Sequence, residues 1–382
     1  MTTFRLRPSK QARYYQFMIR RLYVDNFRCL DNFELILAGK PSILLIGKNG
    51  SGKTAVGLAL QILQKIGRGI SSPSELVKES DFAHGREDSP IRIEVEIGLN
   101  DKAYEYVIAF GIKVGIAGTV VFEEKLVVEG EVIFHRNDER GQSNLPVHWS
   151  VVALPDILNQ QQAYSKVKPF GNWLSNMAIL RPTPSLIRGD VKADDKWPDP
   201  QVTNLGDWYS GLLATETAEY NNILKYLKKI MPDLKSISKS SANGGSRRLT
   251  FLFSNDQSSA SVPFGDLSDG EKCFLICAMV ISANRTYGPL LCFWDEPDNH
   301  LSLDEIQHFI MALRKEFQSG GQFIATSHNP EAINSFSDEN TLYLHRKNHL
   351  DLTTVHLVEN LRDGEAFYGD LVGALIRGDV EP

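Results

Sequence analysis

Residues Gly47 to Thr54 read Gly-Lys-Asn-Gly-Ser-Gly-Lys-Thr, and no other stretch constrains the chain as much. The octapeptide fits the phosphate-loop pattern G-x-x-x-x-G-K-[ST], which needs a strand before it and a helix after it. Both are readable. Ile43-Leu44-Leu45-Ile46 is a short all-apolar run, the mark of a strand buried on both faces. From Ala55 to Ile66 the apolar Val56, Leu60, Ile62, Leu63 and Ile66 recur at helical spacing without proline. The glycines let successive N–H groups turn inward as an anion nest, and the helix N-terminus adds its positive end. The predicted binding set is Gly47, Lys48, Asn49, Gly50, Ser51, Gly52, Lys53 and Thr54. Lys53 would reach the β/γ-phosphates, and the Thr54 hydroxyl would hold Mg²⁺. An accidental glycine turn would lack these flanks; the reading is a nucleoside triphosphate site.

At 382 residues the chain has room for one two-lobed domain or two ordinary ones. With 42% hydrophobic and 23% charged residues it reads as soluble and globular. A net charge of −6 argues against wholesale coating of nucleic acid but leaves local basic patches open. The longest apolar candidate, Phe274 to Ala283, falls short of the ~18 residues of a membrane span. No signal peptide is expected, because an apolar core with a cleavage site is missing at the N-terminus. Cys29, Cys273, Cys277 and Cys292 lack metal-finger spacing and read as core-filling thiols, although Cys273 and Cys277 share a helix face. The expected setting is a reduced cytoplasm.

Four segments follow. Residues 1–18 form a basic arm: Met1 to Arg21 carries six Arg/Lys and no acid. The arm is open to three readings: contact with nucleic acid, a disordered tail, or a start codon chosen upstream of Met18. Residues 19–150 open with two strands around a turn (Leu22, Val24 and Phe27, then Phe33, Leu35 and Leu37). They continue with an antiparallel meander from Ile91 to His135, where Ile91, Ile93, Val95 and Ile97 alternate, then Tyr104, Tyr106 and Ile108. Residues 151–248 read as a helical insertion interrupted by a Pro-rich surface loop, Arg181 to Pro200. Its acids Asp190, Asp194, Asp195 and Asp199 are expected to have no strand to hold them rigid. Lys225 to Arg248 holds seven Arg/Lys against Asp233 alone, a solvated face or a DNA backbone contact. Residues 249–382 carry the remaining motifs. There is no internal repeat and no sustained heptad run.

Leu267-Ser268-Asp269-Gly270-Glu271-Lys272 precedes an apolar helix, so Ser268 beside Gly270 reads as a second anion site or as an ordinary N-cap that needs no nucleotide. Leu290 to Trp294 is a buried strand that delivers Asp295-Glu296-Pro297 to the sheet's C-terminal edge. Asp295 would hold Mg²⁺ through water, and Glu296 would polarise the attacking water as general base. Asp298-Asn299-His300-Leu301 follows. Another apolar strand, Gln322 to Ala325, ends at Thr326-Ser327-His328.

This order of motifs resembles the ABC-type ATPase superfamily: Walker A, LSGGQ-like signature, Walker B with adjacent Glu, D-loop and switch His. Val24-Asp25-Asn26-Phe27-Arg28 is similar to the opening strand of its SMC, RecF and OLD branch. Gly270-Glu271-Lys272 resembles the SMC-like signature ending, with Asp269 where Gly is usual. Asp295 to Leu301 and Thr326 to Pro330 are most similar to the AAA_21, or OLD-like, ATPases. The resemblance implies an α/β P-loop head with a mixed central sheet, an antiparallel meander subdomain and a helical insertion. It implies two heads paired head-to-tail around ATP and Mg²⁺, with larger assemblies left open. Ser268, Gly270 and Glu271 would face the γ-phosphate of the opposite copy, and His328 that of its own. Lys53, Glu296 and His328 form the implied catalytic set, Thr54 and Asp295 the metal set, and Arg28 would lie on or near the nucleotide. A further glutamine for Mg²⁺ and water is implied among Gln160, Gln161 and Gln162.

Between Lys53 and Ser268 lie 214 residues, more than a transporter motor needs and fewer than SMC coiled coils require. The 54 residues after His328 hold no D-x-D cluster, so the nuclease domain of OLD proteins is not expected, and the chain is expected to cut no nucleic acid itself. The leading reading is an ATP-driven switch that controls a separate effector, a nuclease or toxin, in bacterial anti-phage defence. The alternative is a RecF-like repair ATPase that binds duplex DNA across the closed heads.

Overall fold

The all-apolar run before the glycine loop becomes β3 (Ser42–Ile46), every residue of it buried. In the computed structural model, which describes residues 17–113, 115–116, 118–137, 142–143, 147–160, 164–241, 247–362 and 371–377, β3 lies inside a six-stranded sheet. Its parallel neighbours are β15 (Gln322–Thr326) on one side and β16 (Thr341–His345) on the other. Beyond β15 come β14 (Leu291–Trp294) and β9 (Ala178–Leu180), and antiparallel β17 (Thr354–Leu357) closes the far edge. Strand side chains alternate between faces, so each strand feeds two cores. Ile43, Leu45, Leu291, Phe293 and Ile324 enter one; Leu44, Ile46, Cys292, Trp294 and Phe323 enter the other.

The first core holds α1 (Lys53–Gly67), sandwiched beneath an antiparallel sheet. That sheet contains β1 (Phe17–Asp25), β2 (Phe33–Ile36), β4 (Ile91–Leu99), β5 (Lys102–Ile112), β6 (Thr119–Val128), β7 (Glu131–Asn137) and β8 (Gln142–Ser143), in the order β2-β1-β4-β5-β6-β7-β8. The period-two reading of the meander holds residue by residue: Ile91, Ile93, Val95 and Ile97 are all buried. One polar group lies deep in this layer. Glu124, with no exposed surface, accepts hydrogen bonds from Tyr106 Oη at 2.9 Å and Arg136 at 2.7 Å. It also accepts from the backbone N–H groups of Ala153 and Leu154 at 2.7 and 2.9 Å. These two open α2 (Ala153–Leu158), so a fully paired carboxylate fastens the sheet to the next helix.

Helix α3 (Tyr164–Ser175) packs with α1 in the first core, and four further helices fill the second. These four are α4 (Leu205–Thr215), α5 (Glu219–Leu227), α6 (Asp269–Tyr287) and α7 (Leu303–Gln318). From Lys272 to Asn284 helix α6 is buried on every side, as a helix clad by others must be.

The segment expected to be a helical insertion is only partly helical. It supplies β9, and also β10 (Asp190–Val191) and β11 (Leu234–Ser241), which both pair with β12 (Arg247–Ser254) in a small third sheet that β13 (Ser259–Pro263) joins through β12. The three residues of β9 are too few to show a period. Leu234-Lys-Ser-Ile-Ser-Lys-Ser-Ser offers two apolar residues, Leu234 and Ile237, on a spacing that also suits a helix. The Pro-rich stretch also differs from the reading of its acids. Asp190 lies in β10 and pairs with Arg248 at 2.9 Å. Asp199 accepts from the N–H groups of Gln201, Thr203 and Asn204. Asp195 accepts from Asn204 Nδ2 at 2.8 Å, and Asp194 from the Ser210 hydroxyl. Pairing of β10 with β12 and these side-chain hydrogen bonds, local ones in the case of Asp199, together order the loop.

The basic arm lies outside the described residues up to Gln16, and β1 begins at Phe17 with Met18 already buried. Cys273, Cys277 and Cys292 are free and buried, and burial pushes the Cys273 and Cys277 thiols up to about 12. That fits packing side chains rather than ligands. Among the described residues, no helix is long and apolar enough to cross a membrane.

Candidate nucleotide site

The loop from Gly47 to Gly52 joins β3 to α1, and its three glycines have φ of +148°, +81° and +104°. These values lie in the left-handed half of the map, where a side chain is strained. Gly47 is also sterically fixed: a Cβ there would lie 2.3 Å from the Leu344 carbonyl oxygen. Lys48, Asn49 and Gly50 are exposed at the tip, whereas Ser51, Gly52 and Lys53 are buried. The Lys53 ammonium donates to the carbonyls of Gly47 at 2.8 Å and Lys48 at 3.2 Å. Burial pulls its pKa down to about 8, against the opposing pull of Glu296 and Asp295. Ser51 Oγ is buried without a hydrogen-bond partner among the described residues.

The Walker B carboxylates are set by two strand ends. Asp295 follows β14 and accepts from Thr54 Oγ1 at 2.8 Å and from Thr326 Oγ1 at 2.6 Å. Thr326, the last residue of β15, also accepts from the Glu296 N–H at 2.9 Å. Glu296 itself has φ of +51°, an unusual conformation for a residue with a side chain and one concentrated at functional sites. Asn299 Nδ2 donates to Glu296 Oε2 at 2.6 Å, and His328 Nε2 lies 3.6 Å from Oε1. That His328 nitrogen has no hydrogen-bond partner among the described residues. Burial, then the charge of Lys53, lowers the His328 pKa, against the opposing pull of Glu296 and Asp295. Asp298 accepts from Ser327 Oγ at 2.8 Å, and burial raises its pKa.

Ser268 caps α6 in a reciprocal box. Its Oγ accepts from the Glu271 N–H at 3.2 Å, and the Glu271 carboxylate accepts from the Ser268 N–H at 2.7 Å. Glu271 is thus committed to the cap. Gly270 lies close to the D-loop: a Cβ there would sit 3.1 Å from the His300 carbonyl oxygen. Ser268, Asp269, Gly270 and Glu271 line a cavity of about 640 Å³. Thr54, Asp295 and Glu296 line another, of about 330 Å³. His300 lines both, and no residue of the signature joins Thr54.

Other expected residues fall differently. Arg28 sits in the β1–β2 turn with φ of +56°, and its guanidinium pairs with Asp81 at 2.7 Å. Its neighbour Cys29 lies against the glycine loop: the Cys29 sulfur is 3.3 Å from where a Cβ of Gly52 would be. Gln160 is exposed after α2, and Gln161 and Gln162 lie outside the described residues. Sequence reasoning gave no role to Thr326, Asn299, Arg181 or Arg346. Arg181 lines the Thr54 cavity. Arg346, in the β16–β17 turn, donates to the Gly50 carbonyl at 3.3 Å. Thr326 and Asn299 stood inside motifs already singled out; Arg346 carried no signal.

A glycine loop between buried strand and helix, a carboxylate pair at the next strand's end and a capped signature helix together define an ABC-type P-loop head with an SMC-like fold. The SMC head in a structure described as the SmcHead bound to the C-winged helix domain of ScpA aligns over 90% of this chain and 99% of its own, at 15% identity and TM-score 0.51. A Pyrococcus furiosus Smc head with extended coiled coil, bound to the C-terminal domain of ScpA, aligns over 91% and 98% at 12% identity and TM-score 0.48. The SMC head domain from Thermotoga maritima aligns over 89% and 98% at 15% identity and TM-score 0.44. No protein of curated function matches the sequence. The model of the family described as "AAA domain, putative AbiEii toxin, Type IV TA system" matches residues 42–334, and the chain belongs to that family.

Proposed function

We propose that the chain binds and hydrolyses ATP between two head-to-tail copies, and that this cycle switches a separate effector in the cytoplasm. The observation that carries the pairing is that Ser268, Asp269, Gly270 and Glu271 open into a cavity of their own, which meets the cavity of Thr54, Asp295 and Glu296 at His300 without lining it. A second copy brings that signature to the phosphates. The nest, the buried Lys53 and the unpartnered Ser51 Oγ and His328 Nε2 fit a polyphosphate. Thr54 and Asp295 fit Mg²⁺, which when bound neutralises charge on the phosphate oxygens. Lys53 donates to phosphate oxygens, and Glu296, held by Asn299 and Thr326, takes the proton of the attacking water. His328, 3.6 Å from the Glu296 carboxylate, stands beside it, and Ser268 serves the opposite copy.

The effector reading draws on the family description, which names a toxin and a toxin–antitoxin system. It also draws on an SMC head of this fold that carries a bound protein domain. A nuclease or toxin in anti-phage defence is the form proposed. The RecF-like alternative on duplex DNA has weaker support, because Arg248 is paired with Asp190 and Lys239 donates to Ser210.

Mixing two inactive variants tests the pairing. Lys53→Ala disables a chain's own loop, and Ser268→Arg blocks the signature it lends. Each alone should be inactive. Mixed in equal amounts, half the pairs are heterodimers with one intact site, so about a quarter of wild-type turnover per chain should return. If the mixture stays as inactive as its parts, with heterodimers shown by affinity pull-down, the shared site is wrong.

A further inference from the structure

Helix α7 buries Ile306, Phe309, Ile310, Leu313 and Phe317 in the second core. A neighbouring strip of the same helix, with His308, Met311, Ala312 and Lys315, instead lines an open groove. Tyr226, Lys229 and Ile230, at the end of α5 and in the turn after it, form the other wall. A second hollow continues the groove over Ala278 and Ile281 of α6 and shares Tyr226, Lys229, Ala312 and Lys315 with the first. The two enclose about 850 and 390 Å³. At 1.5 Å per residue, the run from Asp304 to Ser319 is about 22 Å long, roughly four helical turns.

The floor is apolar and the rim is basic. Met311 is 49% exposed, and Ile230 and Tyr226 are partly buried beside it. Lys225, Lys229 and Lys315 stand exposed along the rim, with no ion pair among the described residues. Two nearby acids are already occupied. Glu316 pairs with Arg285 at 2.5 Å, and Glu305 accepts from the Ser302 N–H at 2.9 Å and its hydroxyl at 2.7 Å. Asp304 remains, at one end. Such a trough asks for apolar side chains on one face of a helix and carboxylates on its flanks.

We propose that the trough docks an acidic amphipathic helix of a separate protein. A nucleic-acid backbone would satisfy the three lysines but leave Met311, Ile230 and Tyr226 against charged phosphates. The position also matters. Ile230 and Glu305 line the signature cavity as well as the trough, so an occupant lies next to Ser268, Asp269 and Gly270. Docking needs no turnover at the nucleotide site, and Lys53→Ala should retain it.

The test replaces Met311 with photo-reactive benzoylphenylalanine in the full chain, made in its own cells, and identifies adducts by mass spectrometry. The expected adduct is one protein, joined at a Glu/Asp-rich segment whose apolar residues recur at i, i+4 and i+7. Its yield should fall at least about 10-fold when Lys225, Lys229 and Lys315 are all changed to Glu. If that variant melts early, the Lys→Gln triple replaces it. The identified segment, made as a peptide, should bind wild type and not the triple variant. Adducts only with nucleic acid or with a second copy overturn the proposal. So does a yield no higher than from a probe at exposed Gln257.

Discussion

Glu296→Gln is expected to lower ATP hydrolysis at least ~10²-fold, the lower range for loss of a general base, while ATP binding persists. The geometry makes this substitution a clean one. The backbone at position 296 is pinned by the Thr326 hydroxyl, and glutamine keeps an oxygen for the Asn299 amide to bond. Asp295 keeps both threonine contacts, so the metal position is undisturbed. What disappears is the group that accepts a proton. ATP should then hold two copies closed, visible as a doubling of mass in light scattering with ATP and not without it. Wild-type turnover, with no ATP-dependent change in mass, would remove both the base assignment and the sandwich.

Lys53→Ala should weaken ATP binding by roughly 10²-fold or more, the scale of losing charge-assisted bonds to phosphate inside a buried nest. Lys53 is 6% exposed, and among the described residues no other lysine donates to the loop carbonyls. Its depressed pKa gives the measurement a second arm. Free Lys53 titrates near 8, and phosphates hold it charged. Below pH 8 the amine is already protonated and binding takes up no proton. Above pH 8 the free amine is increasingly neutral, so binding must take up a proton, and affinity falls as pH rises. Titration calorimetry at pH 8.5 in buffers of different ionisation enthalpy should show uptake in wild type and none in the variant. Unchanged affinity for a labelled ATP analogue in Lys53→Ala would place the nucleotide elsewhere.

Much of the head could be read from the residues because its signals are local. Strand, loop and helix around Gly47–Thr54 are contiguous, and Ile91 to Ile97 announces its alternation over seven residues. What escaped the reading depends on contacts between distant segments. Thr326 meets Asp295 and Glu296 across some thirty residues, and Arg346 meets Gly50 across nearly three hundred. β11 is a strand because β12 pairs with it from Leu234 to Ser241, a fact its mostly polar residues do not carry. The Pro-rich stretch looked loose because turn hydrogen bonds such as those of Asp199 leave no periodic mark. The signature was identifiable, but its separation from the chain's own Thr54 cavity is a three-dimensional fact.

The back wall of the glycine loop comes from outside the family match. That match ends at residue 334, whereas β16 starts at Thr341, pairs along β3 and sets the Leu344 carbonyl against Gly47. The next turn adds Arg346, bonded to the Gly50 carbonyl from outside. A fragment trimmed to the matched residues would therefore bare one edge of β3 to other chains and leave the phosphate cradle unsupported on that side. The recognisable domain and the stretch of chain that builds the walls of the glycine loop are different lengths of polypeptide.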